Sequence, residues 1–218
     1  MGILEVKGVK AEYSFHKPKN FNGKAVFLVP GVSGGALTSR FSFLLRPFQE
    51  KGYATLKADI WENRKEFLSL TAEQIFSLLD EIISFLKKEG SKEISAVGKS
   101  LGGGLLLMYA NNEIKKLYLF APTIGLTEET KERTIKRKFR EFPTIESIRV
   151  GKKNLQGIKS KVFVFQGNKD KTVPMEEAKE LSSHIKNCEF MVLEGASHSY
   201  KTDVEQNTIK MSLEKIID

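Results

Sequence analysis

A serine flanked by two glycines is the first feature of the sequence that could do chemistry. Ser100 lies between Gly98 and Gly102, after an apolar run that ends at Val97 and before a second one, 105–108. This order predicts a strand, a tight turn and a helix, with the serine exposed at the turn. The N-terminus of the helix would point at the group that the hydroxyl attacks. The five-residue pattern alone is a weak signal, so a nucleophile must find its partners elsewhere in the chain.

A serine hydroxyl needs a positioned base before it can act as a nucleophile. The sequence has three histidines, and His198 lies just after the last predicted strand, 190–193. The carboxyl ends of parallel strands share one edge of a sheet, so His198 and Ser100 are expected at the same edge. His16 ends a predicted hairpin and His184 lies in a predicted helix, both ordinary positions for a surface histidine. We therefore predict that His198 is the base.

A histidine base needs a carboxylate that orients the imidazole and stabilises its charged form. Asp170 follows the predicted strand 161–166 at the same edge of the sheet and is the first candidate. Asp59 also follows a predicted strand and is the alternative. Asp203 is a weaker candidate, because it lies where the closing helix is expected to begin.

An oxyanion formed during acyl transfer needs backbone N–H donors aimed at the developing charge. Leu101 is one candidate donor, since it begins the helix after the serine. The second donor should come from the glycine-rich loop 30–35, which follows the first buried strand. We predict that this second donor is the N–H of Val32.

Three segments together resemble the α/β-hydrolase superfamily. They are 98–102 around the serine, 167–174 around the aspartate and 195–200 around the histidine, in the Ser–Asp–His order of that superfamily. The resemblance covers about residues 20–218. It is nearest to the small dienelactone-hydrolase-like and the carboxylesterase or acylglycerol-lipase-like serine hydrolases.

The resemblance implies a serine hydrolase that cleaves a carboxylic ester, or a related acyl bond, of a small to medium substrate through an acyl-enzyme. Ser100, Asp170 and His198 would be catalytic, and the N–H groups of Val32 and Leu101 would form the oxyanion hole. No cofactor or metal ion is expected. Two alternatives stay open: a thioesterase or peptidase-type hydrolase on the same triad, and a non-catalytic protein of this fold that binds a ligand.

Three features depart from the family pattern. The oxyanion loop begins with Pro30-Gly31 rather than the common His-Gly pair. The nucleophile is a serine, whereas true dienelactone hydrolases use a cysteine. Lys99 is an unusual neighbour for a nucleophile, and the sequence does not explain it.

Apolar runs typical of buried strands alternate with helical patterns along the chain, which predicts an α/β fold with a mainly parallel sheet. An N-terminal antiparallel hairpin precedes it. The expected strands are 3–6, 11–15, 25–29, 53–58, 94–97, 117–120, 161–166 and 190–193; the expected helices are 41–48, 71–89, 101–111, 174–185 and 202–217. We expect a single α/β-hydrolase domain over 1–218.

The segment 123–157 breaks this alternation and is expected to form a small, helical, cap-like insert. The chain has a formal net charge of +8. Residues 127–153 contribute about half of it, with nine basic and five acidic residues interleaved with apolar ones. A solvated helix face is the expected explanation, and peripheral contact with a membrane is the alternative.

Several classes of function are excluded or unsupported. Gly98-Lys99-Ser100 is not a phosphate-binding P-loop, because Glu93 stands where that motif requires glycine. The sequence has no dinucleotide-binding fingerprint after a strand and no His or Cys pair at the spacing of metal ligands. No nucleic-acid-binding motif accompanies the basic residues. No membrane-spanning or signal segment is evident, so the cytoplasm is the expected location. The expected partner is a small ester-like substrate, and nothing indicates an oligomeric state.

Overall fold

A computed structural model describes residues 1–109, 112–123 and 152–218 of the chain. Its strands are β1 (Gly2–Val6), β2 (Val9–His16), β3 (Lys24–Val29), β4 (Ala54–Asp59), β5 (Glu93–Lys99), β6 (Ile114–Phe120), β7 (Lys161–Gly167) and β8 (Cys188–Leu193). Its helices are α1 (Ser42–Glu50), α2 (Arg64–Ser69), α3 (Ala72–Lys88), α4 (Leu101–Tyr109), α5 (Lys152–Gln156), α6 (Met175–Ser183) and α7 (Asp203–Glu214).

The eight strands of the described ranges form one sheet in the order β1-β2-β4-β3-β5-β6-β7-β8. β1 pairs antiparallel with β2, and β2 pairs antiparallel with β4. All pairs from β4 to β8 are parallel. The predicted α/β fold, with its mainly parallel sheet and N-terminal hairpin, is confirmed.

Neighbouring side chains of the central strands pack on opposite faces of the sheet, because the side-chain direction alternates along a strand. Phe27 and Leu119 belong to the core on the face covered by α3, α4 and α6. Leu28 and Tyr118 belong to the core on the other face, which α1 and α7 cover. A strand buried on both faces is apolar at every position, which explains the continuous apolar runs of the sequence.

The helix boundaries follow from local caps. Thr71 and Gln74 form the predicted capping box at the start of α3, with both reciprocal hydrogen bonds present. Helix α2 was not predicted, since six residues with one buried apolar side chain, Phe67, carry too little periodic signal. Helix α7 begins at Asp203 behind its N-cap Thr202 and ends at Glu214, three residues before the predicted end.

Most of the predicted cap-like insert lies outside the described residues. The structure describes Thr123 at its start and α5 at its end, where Leu155 is buried in the core. The expectations of a helical cap, of membrane contact through it and of a single domain stay predictions. In the described parts of the chain, no helix is both long and apolar enough to cross a bilayer.

Candidate active site

Ser100 lies in a left-handed turn between β5 and α4. Its φ of 53° is a conformation that a non-glycine residue adopts at a cost, typically of about 1–3 kcal/mol. Hydrogen bonds on both sides hold it there: its N–H donates to the Phe120 carbonyl (2.9 Å), and its carbonyl accepts from the N–H groups of Gly103 (3.0 Å) and Thr123 (3.1 Å). The turn presents the half-buried side chain at the carboxyl edge of the sheet.

The two glycines beside Ser100 are required by close approach of the backbone. A Cβ at Gly98 would lie 2.6 Å from the Cα of Gly103, and one at Gly102 would overlap the carbonyl oxygens of Val29 and Pro30. The glycine pair therefore lets α4 start directly against β5 and against the end of β3.

His198 and Asp170 form a hydrogen-bonded pair at the same edge. The distance from His198 Nδ1 to Asp170 Oδ2 is 2.8 Å, and the Asp170 side chain is fully buried. Its second oxygen accepts the N–H groups of Thr172 (2.7 Å) and Val173 (2.9 Å). Burial alone would raise the pKa of Asp170, but these hydrogen bonds outweigh it and hold that pKa below its ordinary value. Asp170 thus stays ionised beside the imidazole.

The serine and the histidine face other partners. An ionised Asp170 accepts the proton on Nδ1, so Nε2 carries the lone pair that a base needs. Nε2 lies 3.4 Å from the Lys99 Nζ, and Ser100 Oγ lies 3.3 Å from Thr123 Oγ1. Within the described residues, no hydrogen bond joins Ser100 Oγ to His198. The structure therefore pairs His198 with Asp170 and places Ser100 at the same edge of the sheet, without a hydrogen bond between its hydroxyl and this pair.

Lys99 is a buried cation in the middle of this group, only 6% exposed. Its Nζ lies 5.0 Å from the centroid of the Tyr200 ring, within reach of a cation–π interaction. Burial lowers the pKa of Lys99 to about 7; the negative charge of Asp170 acts against this, and Arg40 adds to it. Tertiary burial is thus the property of Lys99 that the sequence could not show.

The predicted oxyanion loop lies against the serine. A Cβ at Gly31 would be 3.4 Å from the Ser100 Cβ, and the Gly31 carbonyl accepts the buried indole N–H of Trp61 at 3.0 Å. Val32 follows in this loop, and Leu101 is the first residue of α4, where an N–H has no acceptor within the helix. The role of these two N–H groups stays a prediction. Trp61 follows β4 at the same edge, a position that could have identified it as a support of the loop.

The other carboxylates and histidines that were weighed lie elsewhere in the fold. Asp59 accepts the N–H of Leu37 at 3.1 Å, and Asp203 lies in the first turn of α7. His16 ends β2 opposite Thr55, and His184 is the C-cap of α6. Of the two carboxylates weighed for the imidazole partner, the structure therefore pairs Asp170, not Asp59, with His198.

Glu205 holds the loop that carries His198, a role that the sequence patterns did not predict. Its Oε1 accepts the backbone N–H and the hydroxyl of Ser197 (both 2.6 Å), and its Oε2 accepts the same two groups of Thr202 (both 2.9 Å). Burial acts to raise the pKa of Glu205, but these hydrogen bonds lower it to about 2. The Thr-x-x-Glu capping-box spacing was the signal that could have identified it.

No family model and no curated protein matches the sequence, but solved structures match the fold over nearly the whole chain. Est1E from Butyrivibrio proteoclasticus is 20% identical and superposes with a TM-score of 0.78, covering 100% of this chain and 99% of that one. An alpha-beta serine hydrolase homologue from Coxiella burnetii is 18% identical, with a TM-score of 0.74 and coverages of 100% and 96%. Dienelactone hydrolase from Anabaena variabilis is 16% identical, with a TM-score of 0.73 and coverages of 98% and 94%. The chain has the α/β-hydrolase fold.

Proposed function

We propose that this protein is a serine hydrolase that cleaves a carboxylic ester, or a related acyl bond, of a small to medium substrate. The observation that carries the proposal is the 2.8 Å pair of His198 and buried Asp170 at the sheet edge where Ser100 stands in its left-handed turn. A base with its orienting carboxylate beside a strained serine is the arrangement that nucleophilic acyl transfer requires.

In the proposed mechanism, Ser100 Oγ attacks the substrate carbonyl carbon while its proton passes to His198 Nε2. Asp170 stabilises the imidazolium, and the N–H groups of Val32 and Leu101 bind the oxyanion. Collapse of this intermediate breaks the bond to the leaving group, which takes the proton from His198. Water then gives a proton to His198 and attacks the acyl-enzyme, and release of the acid restores the serine.

The proposed first step requires a change in the hydrogen bonds of two side chains. Ser100 Oγ has to leave Thr123, and Nε2 has to leave Lys99, before the two atoms can meet. Catalytic hydrogen bonds are often long or unformed without substrate and tighten in its complex, so this resting geometry is compatible with the mechanism. Rotation of the Ser100 side chain moves the hydroxyl without altering the turn.

Two of the similar structures support the reaction class by analogy of fold. One is described as a serine hydrolase homologue, and Est1E has been solved with ferulic acid bound. Ferulic acid is a carboxylic acid, the kind of product that ester hydrolysis releases.

The test is labelling and turnover of the purified protein. Wild type should react with a fluorophosphonate probe and hydrolyse p-nitrophenyl esters, and Ser100→Ala should do neither. Ser183→Ala is the matched control, since Ser183 lies at the end of α6 and its hydroxyl donates to the Glu180 carbonyl of the same helix (2.7 Å). Equal labelling of wild type and Ser100→Ala, or no turnover of any ester, thioester or amide, would contradict the proposal.

Substrate class is resolved by the same assay. A series of acyl chain lengths, run as oxygen esters, thioesters and anilides, separates an esterase from a thioesterase or peptidase-type hydrolase. The separation of Ser100 Oγ from His198 favours a second candidate, a non-catalytic protein that binds a ligand at this edge. That candidate would be favoured if wild type does not react with the fluorophosphonate probe but binds an acyl ligand in calorimetry, and if Ser100→Ala reduces the affinity.

A further inference from the structure

Lys99 is the buried ionisable group that the proposed mechanism does not use. It immediately precedes Ser100, and it shares the strand face of Val97, whose side chain packs in the core beneath α1 and α7. Tyr200 lies in the same core, 1% exposed, with a hydroxyl that has no hydrogen-bond partner among the described residues. The Lys99 amine thus ends between an aromatic ring and the imidazole of His198.

The contact between Lys99 and His198 occupies the atom on which the proposed reaction depends. Asp170 accepts the Nδ1 proton, so Nε2 presents a lone pair, and a charged lysine can only donate to it. While this donation lasts, Nε2 cannot take the proton of Ser100.

The charged and titratable groups around the amine come from three elements. Asp170, after β7, favours the charged form of Lys99, whereas Arg40, in the turn before α1, opposes it. His198 and Tyr200 face it from the loop after β8.

We propose that Lys99 is a positioning residue: its charged amine holds the imidazole of His198 away from Ser100, and loss of the amine proton to solvent releases the imidazole for catalysis. This inference rests on the proposed function of Ser100 and His198. Burial lowers the pKa of Lys99 to about 7, so the amine loses its proton, and the imidazole of His198 is released, near neutral pH.

The first test is the dependence of kcat/KM on pH between 5 and 9. In wild type, Lys99 and His198 must both be deprotonated, so log kcat/KM should approach a slope of 2 on the acid side. Lys99→Met keeps an unbranched apolar chain that is one atom shorter and removes the charged amine, and the slope of its profile should be 1. At pH 6, kcat/KM of Lys99→Met should exceed that of wild type about tenfold. The reason is that only about one tenth of the Lys99 amines are neutral one pH unit below a pKa of about 7. The two rates should converge above pH 8.

Lys161→Met is the matched control. Lys161 also lies over an aromatic ring, 5.5 Å from that of Phe163, but at the opposite edge of the sheet. Its profile should equal that of wild type. Parallel profiles for Lys99→Met and wild type, whether fast or slow, would overturn the proposal, since a lysine that only fills space alters the rate equally at every pH.

A readout without catalysis separates this proposal from the proposed function. In ¹⁵N-histidine NMR of the Ser100→Ala protein, the His198 Nε2 signal should move in two steps with pH, one of them following Lys99. Adding Lys99→Met, or Lys99→Gln if the methionine variant does not fold, should leave a single step. A single step with Lys99 present would overturn the proposal even if the protein proves to be an esterase. Two steps would support it even if no substrate is found.

Discussion

Ser100 and Asp170 are each held in a state that an isolated residue would avoid. The serine has a left-handed backbone, which hydrogen bonds to Phe120, Gly103 and Thr123 hold in place. The aspartate is buried and ionised, which two backbone N–H groups and His198 make tolerable. Strain and buried charge of this kind concentrate at functional sites, because surrounding structure has to maintain them.

Asp170 and Asp59 provide a direct comparison of the two carboxylates that the sequence left open. Asp170→Asn removes the acceptor that fixes the Nδ1–H tautomer, and we expect kcat to fall about 10²–10⁴-fold. Asp59→Asn affects the Leu37 N–H instead and should keep kcat within a few-fold of wild type. Ester hydrolysis at pH 8 measures both. A larger loss with Asp59→Asn would refute the assignment.

At the scale of elements, the start of α4 and the loop after β8 set the positions of the serine and the histidine. The start of α4 is set by glycines, because Gly98 and Gly102 leave no room for a side chain. The loop after β8 is set by a carboxylate, because Glu205 in α7 binds both ends of the loop segment 197–202.

Gly102→Ala should destabilise the protein severely, by about 3 kcal/mol or more, since its methyl group would overlap two backbone carbonyl oxygens that cannot move independently. Gly195→Ala is the control. Gly195 has a φ of 74°, but no atom of the described residues lies within 4 Å of its Cβ position, so we expect only the backbone strain of about 1–2 kcal/mol. Urea unfolding measures both. Equal losses would show that the close approach at Gly102 is not what requires a glycine.

Glu205→Gln tests the support of the histidine loop. The carboxylate has a lowered pKa, so its stabilising contribution is fully present above the unfolded value of about 4.5 and is lost as the pH falls through about 2. At pH 7 we expect the variant to be less stable by roughly 1–3 kcal/mol, the worth of hydrogen bonds to a charged group. Denaturant unfolding at pH 7 and pH 3 should show that the difference in the free energy of unfolding between wild type and Glu205→Gln is smaller at pH 3. An equal difference at both pH values would contradict a stabilising role of the Glu205 charge.

At the scale of the whole molecule, the sheet brings the proposed catalytic residues together through strand order. Ser100 follows β5, Asp170 follows β7 and His198 follows β8, and β7 and β8 are neighbours. β4, which ends at Asp59, lies four strands away from β7. The partner of His198 is therefore decided by which strands are adjacent.

The burial of Lys99 gives the whole protein a pH-dependent stability. Its folded pKa, about 7, lies below the ordinary 10.5. Below pH 7 both states carry the proton, so the cost of burying the charge is fully present. Between pH 7 and 10.5 the folded state alone has lost the proton, so stability rises with pH. Lys99→Met should thus gain stability over wild type at pH 6, and this gain should shrink by about 2–3 kcal/mol at pH 9. Thermal or urea unfolding of both proteins at the two pH values gives this difference, and an unchanged gain would show that folding does not lower the pKa of Lys99.

The sequence by itself determined the alternation of strands and helices, the turn at Ser100 and the capping box of α3. These features depend on local patterns: side-chain period, glycine position and caps. The same patterns predicted Ser100, Asp170 and His198 as candidates, because each follows a strand. The short helix α2 and the residues that support the site, Trp61 and Glu205, escaped prediction.

Tertiary structure alone decided the contacts across strands. It paired Asp170 rather than Asp59 with His198, placed the amine of Lys99 at Nε2 and aimed Ser100 Oγ at Thr123. These contacts join residues up to 99 positions apart. No local pattern encodes such a distance, because burial and proximity arise only when the whole sheet assembles. The charge of Lys99 is the clearest case, since the same lysine in a solvated turn would have an ordinary pKa.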